Sequence, residues 1–169
     1  MINIYLLKDK QKYITKIADI NFNTWIDFYQ DNAFEDITSV DEYVEYLKEN
    51  CLNYDKLLFP IQLVAINKLD NNTEEYVGSV SLIDDDFPKI SKDRIWITEL
   101  YVDKKYRNNG NAKLLIKSAL DFCKNIGLKE VYLSCLSNLI EYYTKLNFIN
   151  IEEQIIFNNK IYYVFKFNL

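Results

Sequence analysis

Apolar positions along this chain recur with two periods, and the switches between them divide it into elements. Ile2 to Leu7 alternates weakly and is rich in β-formers, which predicts a first strand. From Lys12 to Tyr29 the period changes: Ile14, Ile17, Ala18, Phe22, Trp25, Ile26 and Tyr29 fall at helical spacings. A second helix is predicted from Thr38-Ser39-Val40-Asp41-Glu42 to about Asn50, with Ser39 and Glu42 spaced as a capping box. Pro60 introduces a buried strand, Ile61 to Asn67. The turn residues Asp70-Asn71-Asn72 then lead to its hairpin partner, Tyr76 to Ile83. The polar stretch Asp84 to Arg94, which holds Pro88, reads as a loop.

The second half repeats the alternation of period more cleanly. Ile95 to Val102 reads as a strand. Gly110 opens a helix whose inner stripe is expected at Leu115, Ala119, Phe122 and Ile126, with Gly127 just past its end. Glu130 to Leu136 is the next strand, and a crossover of this kind places it parallel to the strand ending at Val102. A short helix is expected from Asn138 to Lys145, with Asn138 and Glu141 at capping distance. Asn158-Asn159 joins a final hairpin, Asn150 to Phe157 and Lys160 to Phe167. The order predicts an α/β fold: one mixed sheet with a central parallel crossover. With 169 residues and no interdomain linker, a single domain spanning 1–169 is expected.

Composition narrows the chemistry. The chain has no histidine, which removes Ser-His-Asp and Cys-His machinery and most zinc sites; no metal is expected. Cys51, Cys123 and Cys135 are scattered and read as free, buried thiols in a reducing compartment. A net charge of −5 weighs against nucleic acid or an anionic membrane as the main partner and suits a cationic one. The opening MINIYLLKDK is too short an apolar run for a signal peptide, so a cytoplasmic location is the expectation.

Charge is nevertheless concentrated at one turn. The stretch YVDKKYRNNGNAKLL, Tyr101 to Leu115, holds one of only three glycines and the cations Lys104, Lys105, Arg107 and Lys113, followed by Lys117, against one acid, Asp103. A strand, a turn and a helix start would aim free N–H groups at one point, and the helix dipole adds positive charge there. Such a turn suits a phosphate-like anion. Gly110 permits close approach, and Asn108, Asn109 and Asn111 tolerate unusual backbone angles. The other reading is a plain turn beside a solvated lysine face. No Gly-Lys-Ser/Thr follows, so nucleotide hydrolysis of the P-loop kind is not implied.

The span from Ile97 to Phe148 resembles GNAT-type N-acetyltransferases. Arg107-x-x-Gly110-x-Ala112 is similar to their acetyl-CoA signature. Leu100-Tyr101-Val102 resembles the strand that pairs with the pantetheine arm, and Tyr142-Tyr143-Thr144-Lys145-Leu146-Asn147-Phe148 resembles a further family segment. The upstream hairpin is similar as well. Asn147 stands where the family carries glycine, and Asn is the next best residue for a left-handed cap. Leu136 stands where relatives have asparagine, so Asn138 is considered as a substitute contact to the cofactor arm, against a plain capping role.

The resemblance implies the GNAT fold, with a splayed parallel strand pair. It also implies acetyl transfer from acetyl-CoA directly to an amine, with Arg107 to Lys113 holding the cofactor. On it, Tyr143 is the candidate acid for the leaving thiolate and Glu99 the candidate base. The competing readings are a core tyrosine and a salt-bridged glutamate. Strand alternation places Glu99 on the face of Ile97 and Tyr101. Glu35, Asp36, Asp41, Glu42, Glu45, Glu49 and Asp84 to Asp86 suggest an acidic mouth. Glu99 and Asp86 are therefore candidate acceptor contacts, and a small polycationic amine the expected acceptor. A protein amine, a longer acyl group and a catalytically silent CoA-binding module stay open. A homodimer is compatible with the family.

Overall fold

The computed structural model describes residues 1–31, 37–52, 59–70, 73–84 and 94–169, and the side chains of residues 26–31 lie outside the description. The elements follow the two periods. They are β1 (Ile2–Leu6), α1 (Ile14–Asp31), α2 (Val40–Cys51), β2 (Ile61–Lys68), β3 (Glu74–Asp84) and β4 (Ile95–Val102), then α3 (Asn111–Asn125), β5 (Glu130–Leu136), α4 (Ile140–Thr144), β6 (Ile149–Phe157) and β7 (Lys160–Asn168). A 3₁₀ run, Leu7–Tyr13, precedes α1, so the first helical stretch starts earlier and less regularly than its periodicity implies. Among the described residues, no helix is long and apolar enough to cross a membrane.

The seven strands form one sheet in the order β1-β2-β3-β4-β5-β7-β6. Only β4 and β5 run parallel; the other neighbours are antiparallel. Alternation along β2 sorts the two cores. Leu63 and Ala65 pack with Leu115, Ile116, Ala119 and Cys123 of α3. Val64 and Ile66 pack on the opposite face with Ile14, Ile17 and Phe22 of α1 and Tyr43 and Leu47 of α2. The buried stripe of α3 is thus rotated from the expected one: Ile116 and Cys123 are buried, while Phe122 is half-buried against the rim of the core. All three cysteines are free and buried.

Local signals set most element ends. Ser39 Oγ accepts from Glu42 N–H at the start of α2. The Glu42 carboxylate reaches one residue further back than a capping box requires, to Thr38 N–H at 2.7 Å. Gly127, at φ 86°, closes α3, and Asn147, at φ 66°, closes α4 in the same left-handed way. Phe148 N–H then donates to Tyr143 O. Asn158 and Asn159 both have positive φ, as the tight β6–β7 hairpin requires. Asn138 does not cap: it sits exposed in the 3₁₀ turn Ser137–Leu139, and the residue at the cap of α4 is Leu139.

Candidate active site

Two features of β4 and β5 open the sheet. Their parallel register holds only at Trp96↔Tyr132. Beyond it no further register pair joins β4 to β5 among the described residues, and the strands part toward their C-terminal ends. Within β4 a bulge interrupts the pairing with β3, so that Val80 alone stands opposite Glu99 and Leu100. Glu99 takes φ 50°, a left-handed conformation that a glutamate rarely adopts.

The bulge changes the face of Glu99. Ile97 belongs to the core beneath α3, whereas Tyr101 packs on the α1/α2 side. Simple alternation would leave Glu99 with both. One extra residue moves it to the α1/α2 side, where Asn21 Nδ2 donates to Oε2 at 2.8 Å and Tyr43 OH donates to Oε1 at 2.5 Å. Ser81 Oγ lies 2.5 Å from Oε2. Burial pushes the Glu99 carboxyl up to about 8. The residue keeps partial access through a cavity rather than through the outer surface.

That cavity has a volume of about 340 Å³. Thr98, Glu99 and Leu100 form one wall and Ser134, Cys135 and Leu136 the other, where the strands part. Trp25, Tyr43 and Tyr46 close it from the helices, and a break in the regular dihedrals of α1 falls at Trp25. Tyr143 also lines it. Its ring packs edge-on against Phe148 at 5.8 Å. Among the described residues no hydrogen bond engages its hydroxyl, and burial raises its pKa, so the phenol keeps its proton. Burial likewise lifts the Cys135 thiol to about 11 and the Cys51 thiol to about 12, which disqualifies both as nucleophiles at neutral pH.

The glycine turn lies past the C-terminal end of β4. Arg107 is exposed but also engages the chain: its Nε donates to Val102 O at 2.9 Å and its guanidinium stands 5.7 Å from the Tyr101 ring centroid. Asn111 Nδ2 donates to Tyr106 O at 2.7 Å, and Asn109 Nδ2 to Arg107 O at 3.0 Å. These side chains hold the turn. No acceptor among the described residues engages the N–H groups of residues 108–113; the first bond of α3 is Leu114 N–H to Gly110 O. Asn108 and Gly110 have φ of 61° and 78°. A Cβ on Gly110 would meet nothing within 4 Å.

Comparison with α2 shows what is missing. α2 has a side-chain cap and Asp41 and Glu42 in its first turn, whereas α3 has no side-chain cap and no acid there. Its positive end is therefore not neutralised by a side chain of its own first turn. Lys105 is committed to Glu75 at 2.8 Å. Lys104, Lys113 and Lys117 are exposed and have no ion-pair partner among the described residues. Ala112 packs against the core and lets α3 seat closely on the sheet.

A sequence model of the acetyltransferase (GNAT) family matches residues 22–148. The chain belongs to the GNAT acetyltransferase family. GNAT acetyltransferases use acetyl-CoA. Human N-acetyltransferase 8 is 35% identical over 60 residues, 36% of this chain and 26% of that protein. The matched region therefore spans about a quarter of the human relative. Among solved structures, the spermidine/spermine N-acetyltransferase SpeG of Vibrio cholerae superposes with a TM-score of 0.67 at 15% identity, covering 99% of this chain and 95% of that one. Arabidopsis thaliana NAA60 with acetyl-CoA gives 0.65 at 17% identity, covering 100% and 99%. These two likenesses establish the fold of this GNAT family member.

Several expected site residues stand apart from the cavity. Asn138 does not line it; its neighbour Leu139 does. Asp86 lies outside the described residues, as do Glu35, Asp36 and Asp85. Asp41, Glu42, Glu45 and Glu49 border a separate surface depression with Lys48, and Glu45 pairs with Lys48 at 2.7 Å. Among the described residues, these four acids border that depression and do not line the cavity at Glu99. The residues missed in the sequence are Asn21, Tyr43, Gln62 and Ser81. Their signal was available in part: Gln62 and Ser81 are polar residues at positions where strand alternation predicts burial.

Proposed function

We propose that this chain transfers the acetyl group of acetyl-CoA directly to a primary amine on a small cationic molecule of the polyamine or aminoglycoside type. The observation that carries this reading is the placement of Glu99 and Tyr143 on one cavity at the parting of β4 and β5. Acetyl-CoA supplies an activated acyl group as a thioester. The amides of residues 108–113, with Lys104 and Lys113, would hold its diphosphate, and the edge of β4 turned away from β3, from Leu100 to Val102, its arm. A main-chain N–H near Leu100 would stabilise the carbonyl oxygen as charge develops there.

Glu99 acts as the base, taking a proton from the acceptor ammonium so that its nitrogen gains a lone pair. A carboxyl titrating near 8 is matched to that task at neutral pH. Tyr143 holds the proton that the departing thiolate needs. Trp25, Tyr43 and Tyr46 give the acceptor end aromatic faces, and Glu99 is the one acid on the cavity wall among the described residues. Aromatic faces around a single carboxylate favour an ammonium over an anionic acceptor. The test is thiol release across a panel of polyamines, aminoglycosides, amino acids and peptides, with acetyl-, propionyl- and succinyl-CoA. Turnover confined to peptide amines would overturn the acceptor class. Acetyl-CoA binding without turnover of any amine would leave a CoA-binding module.

A further inference from the structure

The surroundings of Glu99 hold more buried polarity than proton removal alone requires. Gln62 is 1% exposed, Ser81 2% and Asn21 0%. Apolar residues at 62 and 81 would fill the same strand face without the cost of drying an amide and a hydroxyl. Ser81 Oγ lies 2.5 Å from Gln62 Oε1 and 2.5 Å from Glu99 Oε2. A hydroxyl has one proton and serves only one of these oxygens. Gln62 Nε2 meanwhile is buried and has no partner among the described residues. Turning the amide by 180° exchanges its ends and resolves both conflicts at once. Gln62 Nε2 then donates to Ser81 Oγ, and Ser81 donates to Glu99 Oε2.

We propose that Gln62 and Ser81 form a directed hydrogen-bond relay that, together with Tyr43 and Asn21, holds the Glu99 carboxylate in place and sets its basicity. The inference rests on the acetyl-transfer reading for its purpose but not for its geometry. In the transfer step an N–H bond of the ammonium breaks, the electron pair stays on nitrogen, and the proton passes to Glu99. Each donor on the carboxylate favours its charged form and opposes burial, which favours the neutral one. Among the described residues, α1 presents Asn21, and α2 presents Tyr43, Tyr46 and Cys51. β2 presents Gln62, β3 Ser81, β5 Cys135, α4 Tyr143 and β7 Tyr162. These are neutral groups, and the hydrogen bonds from Asn21, Tyr43 and Ser81 act on the carboxylate as neutral donors. Gln62 and Ser81 are positioning residues: they act through Glu99 and not on the acceptor.

Two measurements test the relay. In the first, pH profiles of kcat/KM for amine acetylation are compared among wild type, Ser81→Ala, Ser81→Thr and Gln62→Met. The acid limb should rise by about one pH unit in Ser81→Ala, the size of one lost charge-assisted hydrogen bond. It should rise by less in Gln62→Met and return toward wild type in Ser81→Thr, while acetyl-CoA affinity stays unchanged. In the second, the Glu99 carboxyl is titrated by ¹³C NMR in the free protein, its signal assigned by loss in Glu99→Gln, and the same upward order is expected. Identical titration in wild type and Ser81→Ala would overturn the relay. If Ser81→Ala fails to fold, Gln62→Met tests the chain from its far end, and an unmoved titration there also overturns it. A shifted titration with no turnover of any amine would uphold the relay and sink the acetyl-transfer reading.

Discussion

Placing a carboxylate at Gly110 tests the anion cradle directly. Gly110 has φ 78° and ψ 2°, and a Cβ built there meets no protein atom within 4 Å. The protein therefore does not expel a side chain at this position; only the backbone angle and the incoming ligand do. Gly110→Ala isolates the angle. A left-handed L-residue costs about 1 kcal/mol, which lowers the melting temperature of a chain this size by about 3 °C. Gly110→Glu adds charge and bulk where the amides of residues 108–113 lack acceptors. Loss of two charge-assisted amide bonds at about 2 kcal/mol each weakens acetyl-CoA roughly a thousandfold. Calorimetric titration of acetyl-CoA into wild type and both variants measures this, with circular dichroism confirming the fold. A folded Gly110→Glu protein that binds acetyl-CoA as tightly as wild type would refute the placement of the diphosphate.

Three further outcomes are expected. Gly78→Ala should destabilise by about 3 kcal/mol in denaturant unfolding, because its Cβ would stand 2.4 Å from the Tyr101 carbonyl oxygen on β4; a loss below half that would show that the strands yield easily. Tyr143→Phe should lower kcat about a hundredfold while preserving stability and acetyl-CoA affinity, since no hydrogen bond to its hydroxyl exists among the described residues; unchanged turnover would remove it as the acid. Glu99 makes stability pH-dependent with a defined sign. Its folded pKa, about 8, lies above its ordinary value of 4.5, so the folded state binds the extra proton between them. The contribution is full below pH 4.5 and is lost as pH rises through 8, a few kcal/mol in all. Glu99→Gln should flatten that slope, and equal slopes from urea unfolding at pH 5 and pH 8 in both proteins would contradict the burial of the carboxyl.

Charge in this GNAT family member is divided in a way its net charge hides. Two of the four acids of α2 are engaged locally: Glu42 by Thr38 and Glu45 by Lys48. Lys105 is neutralised by Glu75. Near the sheet opening, the N-terminus of α3 has Lys104, Lys113 and Lys117 beside it, exposed and without an ion-pair partner among the described residues, whereas the Glu99 carboxylate inside is held by Asn21, Tyr43 and Ser81.

The sequence by itself determined whatever is decided within a dozen residues. β4 and β5 begin and end where the apolar runs do, at Ile95, Val102, Glu130 and Leu136. The left-handed positions at Gly110, Gly127, Asn147, Asn158 and Asn159 were legible because only glycine and asparagine enter that conformation cheaply. The turn from Asp103 to Gly110 was legible because strand, turn and helix start are contiguous. The surroundings of Glu99 were not. Asn21, Tyr43, Gln62 and Ser81 are brought to it from α1, α2, β2 and β3, and a one-residue bulge sets the face on which it meets them. Periodicity states that a residue is buried, but the partner it is buried against depends on register between distant segments. That register is fixed only when the whole sheet and both helices pack.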